Sequence, residues 1–349
     1  MKRRLTALLL AGLMIFMVTA CNKGKDTEPS SSEEVKDPNW PVAVGDIRVA
    51  EKPDSVVSLL PALTEILCEL GGEGQLTGVS DYCDYPDSVQ DLERCGTSQL
   101  PDLKAIQKLS PQVVFSSSAL SQEDTVKLQQ MGAEVVVLPH ADSVDALEEL
   151  YVTAGTILGG MVDGEQNGED TFAPLREKYD AVAAAAKTVE KKLTGIYLRM
   201  TPLVMATGDT FEGKLLEEIG IQNAAAEDTG WEYPADKAKD LYPDIIFYDQ
   251  SVDAQYLKDN QVYNTTDAVK NDRCYEVDAA AFERQSGRMF DELEKMFRKA
   301  YPDVEINIAE PESEPESSAG QESESSQETA SSSAADEGML NLEDATKVN

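Results

Sequence analysis

Apolar positions along the chain come in two kinds of run. The first kind is short and continuous. Val56-Val57-Ser58-Leu59-Leu60 ends at Pro61, and Leu76–Val79, Gln112–Ser116 and Glu134–Leu138 follow. Later come Ile196–Leu198, Leu203–Met205, Ile245–Tyr248 and Cys274–Val277. Runs without alternation predict strands buried on both faces, as in parallel sheets covered by helices. The second kind repeats at spacings of three and four, which predicts helices. Thr64–Leu70 stops at Gly71-Gly72, and Val144, Leu147, Leu150, Tyr151, Ala154, Ile157 and Leu158 keep one stripe. Met161–Asp170 interrupts that stripe with glycines and acids, and Phe172 to Leu193 carry a second one, which predicts a long helix. Phe211–Ile219 closes at Gly220, and Ser286 is placed to cap a last helix carrying Met289, Phe290, Leu293, Met296 and Phe297.

One segment recurs. Pro101–Phe115 ends in Leu109-x-Pro111-x-Val-Val-Phe115, and Tyr233–Phe247 ends in Leu241-x-Pro243-x-Ile-Ile-Phe247. Each reads as a short helix, a turn marked by proline and a buried strand. Two similar lobes with a cleft between them follow from this repeat, and such clefts take small ligands.

The termini differ in character. Lys2, Arg3 and Arg4 precede the apolar stretch Leu5–Ala20, and Val18-Thr19-Ala20-Cys21 supplies small residues before a cysteine. This order predicts a secretory signal peptide. Its cysteine resembles that of a bacterial lipobox, which would make Cys21 the lipidated residue of an extracytoplasmic, membrane-anchored protein. The alternative is an ordinary signal with a chance cysteine. Residues 1–21 are thus leader, 22–41 a polar tether, 42–142 a first α/β lobe, 143–194 a helical linker and 195–308 a second lobe. Residues 309–349, rich in Glu and Ser, bury too little apolar surface to fold and are expected to be disordered.

The net charge of −35 over 349 residues argues against nucleic acid as a partner, since phosphate binding needs a basic patch. In an exported chain, Cys83 and Cys95 flank a short loop and are a candidate disulfide. Cys68 and Cys274 read as buried thiols, with a bridge to either left open.

The residues also resemble a family: the substrate-binding lipoproteins of ABC importers for cobalamin, iron-siderophores and haem. Ser80-Asp81-Tyr82-Cys83-Asp84-Tyr85-Pro86, Pro101-Asp102-Leu103 to Val114, and Phe282-Glu283-Arg284-Gln285-Ser286-Gly287-Arg288 carry the likeness. It implies two Rossmann-like α/β lobes with central parallel sheets, joined by one long spine helix, and a metal-chelate ligand held between them. On that pattern the ligand would meet Pro61, Tyr82, Ser98, Gln99 and Ser117 from one lobe. Met200, Thr207, Trp231, Phe282 and Arg284 would meet it from the other. Ala281 and Ser118 stand where the cobalamin binders place aromatics, which leaves siderophore and haem open beside cobalamin. The family's paired docking acids toward the membrane permease and its ATPase correspond to Asp236 and, with reversed charge, Lys104. The resemblance further implies a monomer with no resident cofactor.

Other classes fit less well. A sensor or scavenger of the same fold would lack a permease. Bare transition-metal binding usually needs several histidines, and His140 is the one histidine in the chain. Hydrolytic triads need a base that the chain hardly supplies, and Thr207-Gly-Asp-Thr-Phe-Glu-Gly213 lacks the Lys-Ser/Thr of a phosphate loop.

Overall fold

The computed structural model describes residues 37–308. The leader with Cys21, most of the tether and the acidic tail lie outside the described residues.

An antiparallel hairpin, β1 (Val42–Val44) and β2 (Ile47–Val49), opens the first lobe. It was missed in the sequence. The lobe continues with β3 (Val56–Ser58), α1 (Pro61–Glu69), β4 (Leu76–Val79), β5 (Glu93–Arg94), α2 (Leu103–Leu109), β6 (Val113–Ser116), α3 (Gln122–Gln130) and β7 (Glu134–Val137). Then α4 (Val144–Gly159) and α5 (Asp163–Lys187) lead to the second lobe. That lobe holds β8 (Leu193–Met200), β9 (Val204–Met205), α6 (Phe211–Glu218), β10 (Ile221–Asn223), β11 (Ile245–Asp249), α7 (Ala254–Asp259), α8 (Asp267–Lys270), β12 (Cys274–Val277), α9 (Ala279–Glu283) and α10 (Gly287–Ala300).

The two main sheets share one topology. The first runs β5-β4-β3-β6-β7, and the second β10-β8-β11-β12 with β9 antiparallel on β8. All other pairs in them are parallel. Without the edge strand β5, each sheet reads second, first, third, fourth strand. The repeated Val-Val-Phe and Ile-Ile-Phe segments, β6 and β11, occupy the same place in each. The repeat differs in its helical part. Asp102 caps α2 by accepting from the Lys104 and Ala105 amides, at 2.9 and 3.1 Å. The corresponding stretch in the second lobe forms only one 3-10 turn, Ala238–Asp240.

Side chains alternate along these strands. Val56, Val113, Phe115, Tyr197, Ile245 and Phe247 join one contiguous apolar cluster with α4, α5 and α10. Their neighbours Val57 and Val114 pack in a separate cluster on the outer face of the first sheet. Ile196, Leu198 and Ile246 do the same on the second. Period-two geometry makes this split. It also overturns the disulfide expectation. Cys83 packs in the shared cluster and Cys95 in the outer one, so the first sheet separates them. Both are free thiols, as are Cys68 and Cys274. Burial pushes the Cys95 thiol up to about 12, which leaves it unreactive near neutral pH.

The spine helix α5 begins about nine residues earlier than the sequence pattern predicts. Its first turns carry Gly164 and Gly168, which read as a break. These glycines are where α4 and α5 cross. A Cβ on Gly168 would lie 2.5 Å from Val152 Cα, and one on Gly155 would lie 2.5 Å from the Gly164 carbonyl oxygen. In an open helix, Gly→Ala gains roughly 0.5–1 kcal/mol. Here the backbones must separate, and Gly168→Ala is expected to cost about 1–3 kcal/mol instead. Urea unfolding of that variant checks the sign.

Candidate ligand-binding cleft

The loops that follow the strands of both sheets face the gap between the lobes, as in other open α/β sheets. In the first lobe β3 leads to Leu60 and Pro61, β4 to the Ser80–Pro86 loop, β5 to Ser98 and β6 to Ser117. In the second, β8 ends in Arg199 and Met200, the loop after β10 carries Trp231, and β12 leads through α9 to Arg284.

The expected ligand residues divide into two groups. Tyr82 is 72% exposed and Met200 59%. Gln99 is exposed, and Pro61 and Trp231 are half-buried. These present surface. Gln99 and the neighbouring Leu100 border an open groove of about 810 Å³ that extends to Lys104 and Lys127. The others are engaged elsewhere. Ser98 is buried, donates to the Leu59 carbonyl at 3.3 Å and accepts from the Ser117 amide at 3.2 Å and hydroxyl at 3.3 Å. The two serines brace strand ends. Thr207 is fully buried; it donates to Asp209 Oδ1 at 2.6 Å and accepts from the Trp231 amide at 3.1 Å. Thr207 therefore holds the tryptophan loop instead of lining the cleft. That loop places Trp231 at φ 66°, a left-handed conformation uncommon for a bulky residue. Phe282 is wholly buried, edge-on to Tyr197 at 5.0 Å, and offers no face to a ligand.

Arg284 is the largest correction. It donates to Glu65 Oε1 at 3.0 Å, to the exposed carboxylate of Asp84, and to the Tyr82 carbonyl at 3.4 Å. Its fork is spent inside the protein, so it is not free to meet a ligand carboxylate. The Glu65 side chain is 0% exposed. It also accepts from Arg288 Nη2 at 2.6 Å, Arg288 Nε at 3.1 Å and Ser286 Oγ at 2.7 Å. Ser286 does precede the last helix, but its hydroxyl serves Glu65 and makes no capping bond. Beside it, Gln285 exchanges two hydrogen bonds with the Ala141 backbone, at 2.7 and 2.8 Å. One turn beyond Glu65, Glu69 accepts from the Gly287 amide at 3.0 Å. Residues 284–288 are thus bolted to α1 and to the end of the first sheet.

The second wall is built around Glu283. Tyr197 donates to its Oε1 at 2.9 Å and Arg199 to its Oε2 at 2.8 Å. The Arg199 guanidinium lies over the Trp231 ring, 5.0 Å from its centroid. Burial pushes the Glu283 carboxyl above its usual range, against the pull of Arg199 and the Tyr197 hydrogen bond. Asp84 goes the other way, held low first by its hydrogen bond from Arg284. Consecutive residues Glu283 and Arg284 therefore pin opposite walls: one the cation-capped tryptophan, the other the tyrosine loop.

Lys104 and Asp236 are both exposed, the first in the opening turn of α2 and the second just before the 3-10 turn. Among the described residues no group of three or more His, Cys, Asp or Glu side chains could hold a metal ion. No helix among them is long and apolar enough to cross a membrane.

Two matching α/β lobes on a long helical spine, with Tyr82 and Trp231 on loops after their strands, define a solute-binding protein. The chain belongs to the periplasmic binding protein family, which matches residues 56–281. It is 29% identical over 311 residues to the ABC transporter substrate-binding lipoprotein YvrC of Bacillus subtilis, covering 85% of this chain and 96% of that one. The vitamin B12-binding protein of Vibrio parahaemolyticus is 26% identical over 214 residues, covering 59% of this chain and 75% of its own length. Among solved structures, the periplasmic heme-binding protein RhuT from Roseiflexus sp. RS-1 superposes with a TM-score of 0.63 at 20% identity, over 71% of this chain and 98% of that one. That likeness bears on the fold. The function of the chain is substrate binding for ABC-type import.

Proposed function

We propose that this chain is an extracytoplasmic lipoprotein, anchored through Cys21, that captures a metal chelate and delivers it to an ABC permease. Cobalamin, a ferric siderophore and haem are the candidate ligands. One observation supports the chelate class above others: exposed Tyr82 on one lobe and Arg199-capped Trp231 on the other. Flat aromatic surface on both walls suits a large planar or catechol-bearing ligand, and rigid rings lose little entropy on binding. Binding is reversible, with no bond made or broken. Lys104 and Asp236 are assigned to permease docking, where such surface charges steer encounter more than they add affinity.

Cyanocobalamin, hemin and ferric siderophores should be titrated against Trp fluorescence and thermal unfolding. A ligand at about 100 times its Kd adds roughly 2.7 kcal/mol of stability. The double variant Tyr82→Ala, Trp231→Ala should weaken binding by at least about tenfold, as buried aromatic contacts of this size do. Silence of the wild-type chain toward all three classes would end the ligand assignment, and undiminished affinity in the double variant would end the cleft assignment.

A further inference from the structure

The first-lobe loop that carries Tyr82 is held by three arginines, and only one belongs to its own lobe. Arg94, at the end of β5, donates to the Ser80 carbonyl at 3.1 Å, the Cys83 carbonyl at 2.8 Å and the Gln90 carbonyl at 2.9 Å. These bonds close the loop on itself. Its base is tied to its own lobe by the Asp81 amide on the Gly96 carbonyl and by Cys83, whose thiol lies 3.1 Å from Thr64 Oγ1, whereas its outer residues are held by the C-terminal segment. Arg284 reaches the Asp84 carboxylate and the Tyr82 carbonyl. Arg288 stacks on the Tyr85 ring, 4.0 Å from its centroid. Neither arginine is placed by the loop itself, because exposed partners such as Asp84 hold a long side chain weakly. Glu65 places them. It is buried and binds both guanidinium groups and the Ser286 hydroxyl beside them. Arginine suits this work because its planar fork can serve two carboxylates, or one carboxylate and one ring, at once.

We propose that Glu65, acting through Arg284 and Arg288, is a positioning residue that fixes the Tyr82–Tyr85 loop in its ligand-facing place. The Arg284–Arg288 segment is itself bolted to α1, so the clasp comes from the far end of the chain while the loop stays fixed to the first lobe. The ligand clause rests on the function proposed above; the positioning clause does not.

The test leaves Glu65 intact, because removing it threatens the fold, and cuts the outer links instead. Asp84 and Tyr85 are surface residues. Hydrogen exchange on the full chain without ligand should follow the Asp81 and Cys83 amides, which bond to the Gly96 and Ser80 carbonyls. In Asp84→Ala, Tyr85→Leu their exchange should rise by at least about fivefold, as loss of an exposed ion pair and a cation–π contact allows. The unfolding midpoint and the amides of β8 and β11 should stay put. Tyr85→Phe keeps the ring and should exchange as the wild type does, a rescue that a merely steric role would not require to be aromatic. Wild-type exchange in the double variant would show that contacts within the first lobe hold the loop without the two arginines and would overturn the proposal. With hemin or cyanocobalamin as the probe, the double variant should also bind more weakly. If the wild-type chain binds neither, the ligand class fails while the exchange comparison still decides the positioning role.

Discussion

Glu65→Ala should lower the unfolding free energy by about 3–5 kcal/mol, the usual result of removing one partner from a buried ion network. The carboxylate is fully enclosed and answers two guanidinium groups and a hydroxyl. Without it Arg284 keeps Asp84, and Arg288 keeps the Tyr85 ring and, as its one carboxylate, the distant Asp278 at 4.0 Å. Positive charge is left in a site that water reaches poorly. The worth of the network is not the same as the cost of breaking it. Replacing Glu65, Arg284 and Arg288 together by apolar residues of similar volume should recover most of the loss, because the desolvation of all three charges disappears with them. Urea unfolding checks both variants, and a single-variant loss below about 1 kcal/mol would place Glu65 in a wetter site than described.

Glu212→Gln should make the protein more stable at pH 8 by about 3 kcal/mol, with little change at pH 4.5. Glu212 sits in the first turn of α6, 8% exposed. Burial is the largest influence on its carboxyl; a hydrogen bond to its own backbone and Arg199 oppose it, and Glu283 reinforces it. The result is a value raised from 4.5 to about 7. The native state therefore holds this proton more tightly than the unfolded chain. The stabilising contribution is fully present below pH 4.5 and is lost as pH rises through about 7. A difference of 2.5 between those two values corresponds to about 3 kcal/mol. Unfolding measured at several pH values for both chains tests this, and an equal difference at all pH values would place the titration elsewhere.

The strands were legible because a strand covered on both faces must be apolar throughout. Leu76–Val79 was legible to the residue on that ground, and the edge strand Cys274–Val277 was legible to the residue despite its exposed Glu276. The two-lobe repeat was legible for the same reason, since β6 and β11 occupy the same sheet position. The start of α5 was not, because Gly164 and Gly168 look like a break unless the partner helix is known. The cysteine pair was misread because closeness along the chain says nothing about which side of a sheet a side chain takes. Edge strands β5 and β10 were too short to carry a period. Of the aromatics expected in the cleft, Tyr82 is exposed and Trp231 half-buried. Phe282 and Thr207 were placed in it because loop position alone does not reveal burial. Glu65 and Arg284 lie 219 residues apart, and no local pattern announces such a pair.

The shared apolar cluster has a thermodynamic consequence. Tyr151, Phe172 and Phe290 follow one another through it at 5.1 and 5.8 Å, linking α4, α5 and α10. Strands of both sheets end in the same cluster. Neither half can melt without exposing the apolar face of the other, so cooperativity spans the whole folded body. Calorimetry should record one heat-absorption peak, with calorimetric and van't Hoff enthalpies equal. A ligand bound at one end of the cleft would then protect amides deep in both sheets alike.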